Sequence, residues 1–163
     1  MGTDGRTKQL LRFAWDDRVT LARVVTVATE DVRIPVARAR VERLGAAVLR
    51  AEGIRDAQVS ITFVTSRRMA ALNWTHLGHR GPTDVISFEF SGPGTTGDIY
   101  IAPDVARENA RAHGCGVREE LLRLCVHGVL HILGHDHPTD ESRAKSTMWK
   151  RQEQLLARAM TSA

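Results

Sequence analysis

Cysteine is scarce in this sequence of 163 residues, which argues against two classes of small protein. Cys115 and Cys125 are the only two, too few for a disulfide scaffold or a cysteine-ligated zinc finger. No apolar run approaches the roughly 18–20 residues of a membrane span. The opening residues, M-G-T-D-G-R-T-K-Q, lack the apolar core of a signal peptide. We therefore expect a cytoplasmic protein that does not bind a membrane.

Lysine is nearly missing as well. It occurs only at Lys8, Lys145 and Lys150, so arginine carries most of the positive charge behind the formal net charge of +4. The planar arginine fork suits phosphate groups and stacks on bases, although a genome-wide bias toward arginine codons gives the same composition. A net charge of this size permits nucleic-acid binding without requiring it.

The length and composition predict one globular domain. The chain is 42% hydrophobic and 26% charged, and 163 residues are enough for a single core. The first twenty residues are rich in charge and poor in pattern. We therefore predict a flexible N-terminal extension over residues 1–20 and a single domain over residues 21–163.

The hydrophobic pattern mixes strands and helices without strict alternation. Alternating apolar residues predict strands at 24–28, 59–64, 85–90 and 98–102. Apolar residues at helical spacing predict helices that open at Pro35, are capped by Ser66, begin at Pro103, and run over 117–133 and 139–160. This mixture predicts an α+β fold, a small mixed sheet packed with helices.

Four histidines and an aspartate lie within H-G-V-L-H-I-L-G-H-D-H, residues 127–137. His127 and His131 are four residues apart, so they lie on one face of the predicted helix. Gly134 can take the left-handed conformation that ends a helix and lets His137 fold back toward them. Three neutral histidines leave one tetrahedral position for water, as in a catalytic zinc site. The motif HxxxHxxGxxH therefore predicts a Zn²⁺ ion held by His127, His131 and His137.

Some assignments within the motif stay open. His135 continues the four-residue spacing and competes with His137 as third ligand, although Gly134 ends the helix first. Asp136 either accepts a hydrogen bond from an imidazole or is a turn residue. Three histidines also suit other divalent transition metals.

The same spacing occurs in the metzincin metallopeptidases, which carry glutamate directly after the first histidine as the general base. Here that position is Gly128. Without the carboxylate, peptide hydrolysis by that route lacks its proton acceptor, so a peptidase is disfavoured.

Three blocks of this sequence resemble the YbeY family of bacterial endoribonucleases. Residues 127–137 are similar to that family's H-G-x-L-H-L-x-G-Y-D-H. Residues 72–88, L-N-W-T-H-L-G-H-R-G-P-T-D-V-I-S-F, are similar to its L-N-x-x-Y-R…P-T-D-V-L-S-F, and residues 97–101, G-D-I-Y-I, are similar to its G-D-I-x-I. The blocks follow the family's order, and the resemblance covers residues 24–160.

The resemblance implies a single-domain, metal-dependent ribonuclease with zinc on the residues that match His127, His131 and His137. It implies a role in maturing the 3′ end of small-subunit (16S) ribosomal RNA and in ribosome quality control. The expected partners are precursor RNA, the ribosome and ribosomal proteins, with no DNA.

The chain departs from the family at the arginine that follows L-N-x-x-Y, which is associated with phosphate binding and catalysis. Leu77 occupies that position here. We predict that Arg80, in the same loop, supplies the guanidinium as a catalytic residue. Arg67 and Arg68 are the alternatives and candidate substrate-binding residues.

The remaining candidates flank that loop. Asp84 and Asp136 are predicted as catalytic residues; Asp84 either hydrogen-bonds a ligand histidine, positions the loop or is a plain turn residue. Asn73 is predicted to contact RNA, or to hold the loop to the metal-binding helix, or to cap a helix. Trp74 is predicted to stack on a base, with a place in the core as the alternative.

A second functional class stays open because of Leu77. The chain could be a non-catalytic assembly factor whose zinc is structural. A closed site, with His135 joining the other three histidines, favours that reading, and an open position favours the nuclease.

Overall fold

Four strands form one mixed sheet in the computed structural model, which describes residues 21–162. The strands are β1 (Arg23–Thr29), β2 (Ala57–Phe63), β3 (Val85–Phe90) and β4 (Thr95–Ile101), in the order β1-β2-β4-β3. β1, β2 and β4 are parallel, and β3 pairs antiparallel with β4 across a hairpin. The predicted α+β fold is confirmed.

Five α-helices surround this sheet within the described residues: α1 (Arg38–Ala51), α2 (Ser66–Leu77), α3 (Pro103–His113), α4 (Val117–Ile132) and α5 (Thr147–Thr161). A short 3₁₀ helix, Glu141–Lys145, precedes α5. The predicted extension over residues 1–20 lies outside the described residues.

Two predicted helix starts are wrong by a few residues. Pro35 lies before α1, which begins at Arg38 with Ala37 as its N-cap residue. Ser66 is the first residue of α2, and Thr65 is the cap, because the Thr65 side chain accepts a hydrogen bond from the Arg68 N–H at 3.1 Å.

The last predicted helix is two elements. The Asp140 side chain accepts from the Ser142 N–H and begins the 3₁₀ helix, and the Ser146 side chain accepts from the Trp149 N–H and begins α5. Each cap satisfies an amide that a continuous helix would have bonded to its own backbone, so the chain turns between them. That turn places α5 beside α4.

Helix α4 packs closely on the sheet because the helix and strand β4 each place a glycine at their contact. A Cβ at Gly97 of β4 would overlap the Ile132 side chain of α4, and one at Gly128 of α4 would lie 2.7 Å from Ile99 Cγ2 of β4. The fully buried Val59, Ile61 and Phe63 complete the core on β2. Position 128 therefore faces the sheet, where a glutamate side chain has no room.

Helix α2 covers the opposite face at the β3–β4 edge. Met69 and Leu72 pack there with Ile86 in a second, smaller hydrophobic cluster. This cluster fixes the segment between α2 and β3 that carries the second family-like block.

Candidate metal centre

Three histidine side chains meet at the C-terminal end of α4. The helix supplies His127 and His131, it ends at Ile132, and Gly134 has the left-handed backbone that the sequence predicts (φ +88°). His137 then returns, and one ligand nitrogen from each of the three rings lies within 4.8 Å of the others. The three ring centroids are 4.5 to 5.1 Å apart.

Each of these imidazoles has an oxygen acceptor at Nδ1. His127 Nδ1–H donates to Gln152 Oε1 (2.6 Å), His131 Nδ1–H to the His135 carbonyl (3.0 Å) and His137 Nδ1–H to the Pro138 carbonyl (2.8 Å). A neutral imidazole carries one N–H, so all three Nε2 atoms keep a lone pair. This arrangement of outer acceptors is usual for metal-ligating histidines.

The distance between two of these nitrogens also fits a shared ion. His131 Nε2 and His137 Nε2 are 3.2 Å apart, and neither carries a proton for the other when both Nδ1 atoms donate. Two nitrogen ligands of one tetrahedral zinc, with bonds of about 2.0–2.1 Å, lie roughly 3.3 Å apart. The residues present therefore fit a metal ion.

The environment keeps at least two of the rings uncharged. Burial lowers the pKa of His127 to about 3, even though its hydrogen bond to Gln152 acts in the opposite direction. Burial also lowers the pKa of His131, and the charge of His137 adds to the effect. The nearby positive charge of Arg143 contributes to both shifts. Neutral imidazole is the form that binds metals.

His135, the rival ligand, points elsewhere. Its Nε2 lies 2.9 Å from Glu52 Oε2, and Glu52 also accepts from Arg151 Nε at 2.6 Å. Burial by itself would raise the pKa of Glu52, but the hydrogen bonds from Arg151 and His135 outweigh it and hold that pKa below its usual value. The geometry thus groups His137, and not His135, with the two helical histidines.

Gln152 is a functional candidate that the sequence reasoning missed. Its side chain on α5 is only 1% exposed, and its amide nitrogen donates to Glu153 Oε1 at 3.2 Å, which leaves Oε1 facing His127. The one available signal was a polar residue at helical spacing among Met148, Leu155 and Leu156, the buried face of α5.

The two predicted catalytic carboxylates do not bond to the ligand rings. Asp84 accepts from the Val85 N–H (2.8 Å) and from Asn109 Nδ2 (3.0 Å), so it fixes the start of β3. Asp136 accepts from the His137 backbone N–H (2.8 Å) and shapes the loop. Within the described residues neither carboxylate hydrogen-bonds an imidazole, and the catalytic roles of both stay predictions.

The predicted substrate-binding residues lie on α2 and the loop after it. Asn73 is buried and donates to the Gly81 carbonyl at 2.8 Å, which holds that loop. Trp74 is 57% exposed, so the alternative that places it in the core is wrong, and Arg80 lies over its ring at 5.8 Å. Arg67 and Arg68 are exposed in the first turn of α2, and Arg68 pairs with Glu30 at 3.8 Å. Contact of these residues with RNA stays a prediction.

A cavity of about 820 Å³ adjoins the histidine cluster; we call it the site cavity. It is bounded by α3, α4, the 3₁₀ helix and α5, and its lining includes Asp84, His127, Arg143, Trp149 and Gln152. Arg80 and Trp74 line a separate cavity of about 320 Å³. Among the predicted catalytic residues, Asp84 therefore lines the same cavity as His127.

The fold and the site together define an α+β protein with a three-histidine cluster that can hold a metal ion. The model of the family Endoribonuclease YbeY matches residues 25–160. The chain belongs to the endoribonuclease YbeY family, as the three sequence blocks predict.

Individual relatives agree with this assignment. The chain is 39% identical over 132 residues to an endoribonuclease YbeY of Geobacillus kaustophilus, across 72% of this chain and 83% of the relative. It is 37% identical over 150 residues to that of Bacillus licheniformis, across 83% and 94% of the two chains. The solution structure of TM1509 from Thermotoga maritima superposes with a TM-score of 0.60 at 26% identity, covering 85% of this chain and 90% of that one.

Within the described residues, no helix is both long enough and apolar enough to cross a membrane.

Proposed function

We propose that this chain is a zinc-dependent endoribonuclease that cuts single-stranded RNA in the cytoplasm and matures the 3′ end of small-subunit ribosomal RNA. The observation that carries the proposal is the set of three histidines with each Nδ1 committed to an oxygen acceptor and each Nε2 free to bind. Membership of the family supplies the reaction and the class of substrate. Ribosome quality control and contacts with ribosomal proteins extend the same proposal.

The site's own residues perform the positioning. Gln152, the His135 carbonyl and the Pro138 carbonyl hold the imidazoles in the ligand tautomer. Zinc held by these three histidines would supply hydroxide at neutral pH, by lowering the pKa of water to about 7, and would polarise a phosphoryl oxygen. Asp84 holds the start of β3 at the cavity wall, and Asp136 holds the loop that returns His137. Arg80 and the exposed face of Trp74 offer a guanidinium and a stacking surface for RNA.

Two observations favour a nuclease over the other classes. The His135 ring is bonded to Glu52, so the described cluster has three histidines, and a tetrahedral zinc held by them would keep a fourth position for water or substrate, unlike a closed structural zinc site. Position 128 faces β4, so a general-base glutamate of the metzincin kind has no place beside the cluster. The first observation disfavours the assembly factor with structural zinc, and the second disfavours the peptidase.

The test is cleavage of a labelled single-stranded RNA that ends in the small-subunit ribosomal RNA 3′ sequence, with an unstructured peptide as the alternative substrate. The wild type is expected to cut the RNA alone. His131→Ala is expected to lose its metal and its activity, and His79→Ala, which removes an exposed histidine outside the cluster, should keep both. A metal-loaded wild type that binds this RNA without cutting it would replace the nuclease by the assembly factor.

A further inference from the structure

Arg143 is the cation of the site cavity that has no counter-ion. Four other described arginines pair with carboxylates, namely Arg68, Arg107, Arg123 and Arg151, whereas Arg143 makes no ion pair with any residue of 21–162. Its Nε atom is buried and has no hydrogen-bond partner in the described part of the chain. A buried donor without an acceptor is costly, and here no acceptor within the described residues engages this atom.

Hydrogen bonds hold the backbone of Arg143 at the wall of the site cavity. The Arg143 N–H donates to the Asp140 carbonyl (3.1 Å), and the Arg143 carbonyl accepts from the Ser146 N–H (3.0 Å) and the Ser146 hydroxyl (2.6 Å). Arg143 is thus held in the centre of the 3₁₀ helix that forms one wall of the site cavity. His127 forms another wall of the same cavity.

The acidic groups of the cavity are mostly occupied by other partners. Glu119 and Glu120 both bond to Arg123, at 2.6 and 2.8 Å, and Asp84 bonds to Asn109. Asp140 accepts from Ser142 at the exposed start of the 3₁₀ helix. Glu141, the fifth carboxylate, is exposed and lies beyond ion-pair distance of Arg143. Among the charged groups that line this cavity, Arg143 is therefore the cation without a carboxylate partner, while Asp136 lies outside the lining and acts on His131.

We infer that Arg143 is a substrate-binding residue whose guanidinium contacts the RNA phosphate next to the three histidines. An arginine that faces a site for a divalent cation experiences repulsion, and an anion between the two relieves it. A phosphodiester is such an anion, and its oxygens accept from the arginine fork. Leu77 offers no charge, and Arg80 lies over Trp74 in a separate cavity. Two arginines line the cavity of His127, and Arg123 is neutralised by three glutamates, so Arg143 is the one left to bind an anion. This inference rests on the proposed nuclease function.

The experiment compares Arg143→Ala, Arg143→Met and Arg143→Lys with the wild type, and uses Arg43→Ala as a control that removes an exposed arginine of α1. Met keeps most of the aliphatic stem, so it separates loss of charge from loss of packing. Two quantities are measured: the Kd for a labelled single-stranded RNA with its salt dependence, and the single-turnover cleavage rate. Zinc content and the thermal midpoint are recorded for every variant.

We expect Arg143→Ala and Arg143→Met to keep their zinc and to cut about 10²–10³-fold more slowly, since removal of one transition-state donor has this effect. Their RNA binding should weaken, and the slope of log K against log salt should fall by about 0.7, the share of one phosphate contact on a single strand. Arg143→Lys should recover binding more than rate, because it restores charge without the fork.

The two proposals fail in different ways. Unchanged Kd, salt slope and rate in Arg143→Met, with His131→Ala inactive, would overturn the role of Arg143 and leave the nuclease standing. A wild type that never cuts would overturn the nuclease, and the salt slope alone would then decide whether Arg143 binds phosphate. An equal loss of RNA affinity and cleavage rate in Arg43→Ala would also overturn the inference, because it would show a general effect of net charge.

Discussion

Gln152 holds His127 in the tautomer that a metal requires. In Gln152→Leu the Nδ1–H of His127 loses its buried acceptor, so the ring is free to adopt the other tautomer or to rotate. Loss of such an outer acceptor typically weakens metal binding about 10–100-fold. We expect that loss in the zinc Kd, measured by competition with a chromophoric chelator at neutral pH.

The matched control for this change is Gln152→Glu, which retains an oxygen at the same place. Its zinc Kd should stay within a few-fold of the wild type. If the Leu and Glu variants bind zinc equally well, the hydrogen bond to His127 is not what sets the affinity.

Among single residues, the clustering of the three histidines was predictable from the sequence, and the contact of Gln152 with His127 was not. The spacing of His127, His131 and Gly134 encodes their geometry, because the period of a helix and the freedom of glycine are local properties. Gln152 is 25 residues from His127, and nothing in that separation indicates a contact. The exposure of Trp74 was also beyond the sequence, because it depends on which face of α2 the second cluster covers.

Gly97 determines how closely helix α4 can approach the sheet. In Gly97→Ala the added methyl overlaps the Ile132 side chain of α4. It also lies 2.8 Å from the Phe88 carbonyl oxygen, which belongs to the paired backbone of β3 and cannot rotate away. Overpacking of this kind typically costs about 1–3 kcal/mol of unfolding free energy. Urea denaturation should show that loss.

Gly116→Ala is the comparison, because a Cβ there meets nothing within 4 Å and the residue lies just before the same helix. Gly116→Ala should lower the unfolding free energy by less than about 1 kcal/mol, the usual effect of replacing a glycine at a helix N-cap by alanine. Equal stability of the two variants would contradict the close approach of α4 to β4.

Glu52 joins the C-terminal end of α1 to α5 and to the histidine loop through Arg151 and His135. Its pKa is lower in the folded protein than the value of about 4.3 in an unfolded chain, so Glu52 stabilises the fold above that pH. The contribution is lost as the pH falls through the lowered folded value, where the carboxylate gains its proton. Glu52→Gln should therefore lose about 1 kcal/mol near pH 7, the difference between a hydrogen bond to a charged and to a neutral group.

The difference between wild type and Glu52→Gln should shrink toward zero in acid. Denaturation midpoints at a series of pH values measure it, and Glu108→Gln, on an exposed carboxylate of α3, serves as the control. A difference that stays constant down to pH 2 would show that the charge of Glu52 contributes nothing.

The positions of the strands and helices were predictable from the sequence, but several of their boundaries were not, because capping side chains determine them. The alternation of Val59, Ile61 and Phe63 marks β2 because only one of its faces is fully buried. By contrast, the break between the 3₁₀ helix and α5 is made by the side chains of Asp140 and Ser146, whose capping competes with continued helix. Asp and Ser residues are compatible with a helix cap and with a continuing helix, so the sequence pattern alone does not predict where the helix is interrupted.

For the whole molecule, the α+β class followed from the mixture of patterns, but the strand order did not. Placing β4 between β2 and β3 requires knowing that β2 pairs with β4, as Ala57 does with Thr95, which is a long-range contact. That order sets α4 across the sheet, and α4 in turn carries two of the three histidines. The loop and α5 supply the third histidine and its neighbours, so the site is assembled from segments that only tertiary packing brings together.

A metal ion bound by this cluster links α4 to the loop after it, so binding should stabilise the whole fold. A ligand that binds only the folded state at about a hundredfold excess over its Kd adds about 2.7 kcal/mol, which zinc should show as a higher thermal midpoint. His137→Ala should lose most of this zinc-dependent shift because it removes one Nε2 from the group. His135→Ala should begin from a lower midpoint, since Glu52 loses a partner, yet keep the shift that zinc produces. The reverse pattern, with the shift abolished in His135→Ala and kept in His137→Ala, would mean that the loop changes its ligand when the metal binds.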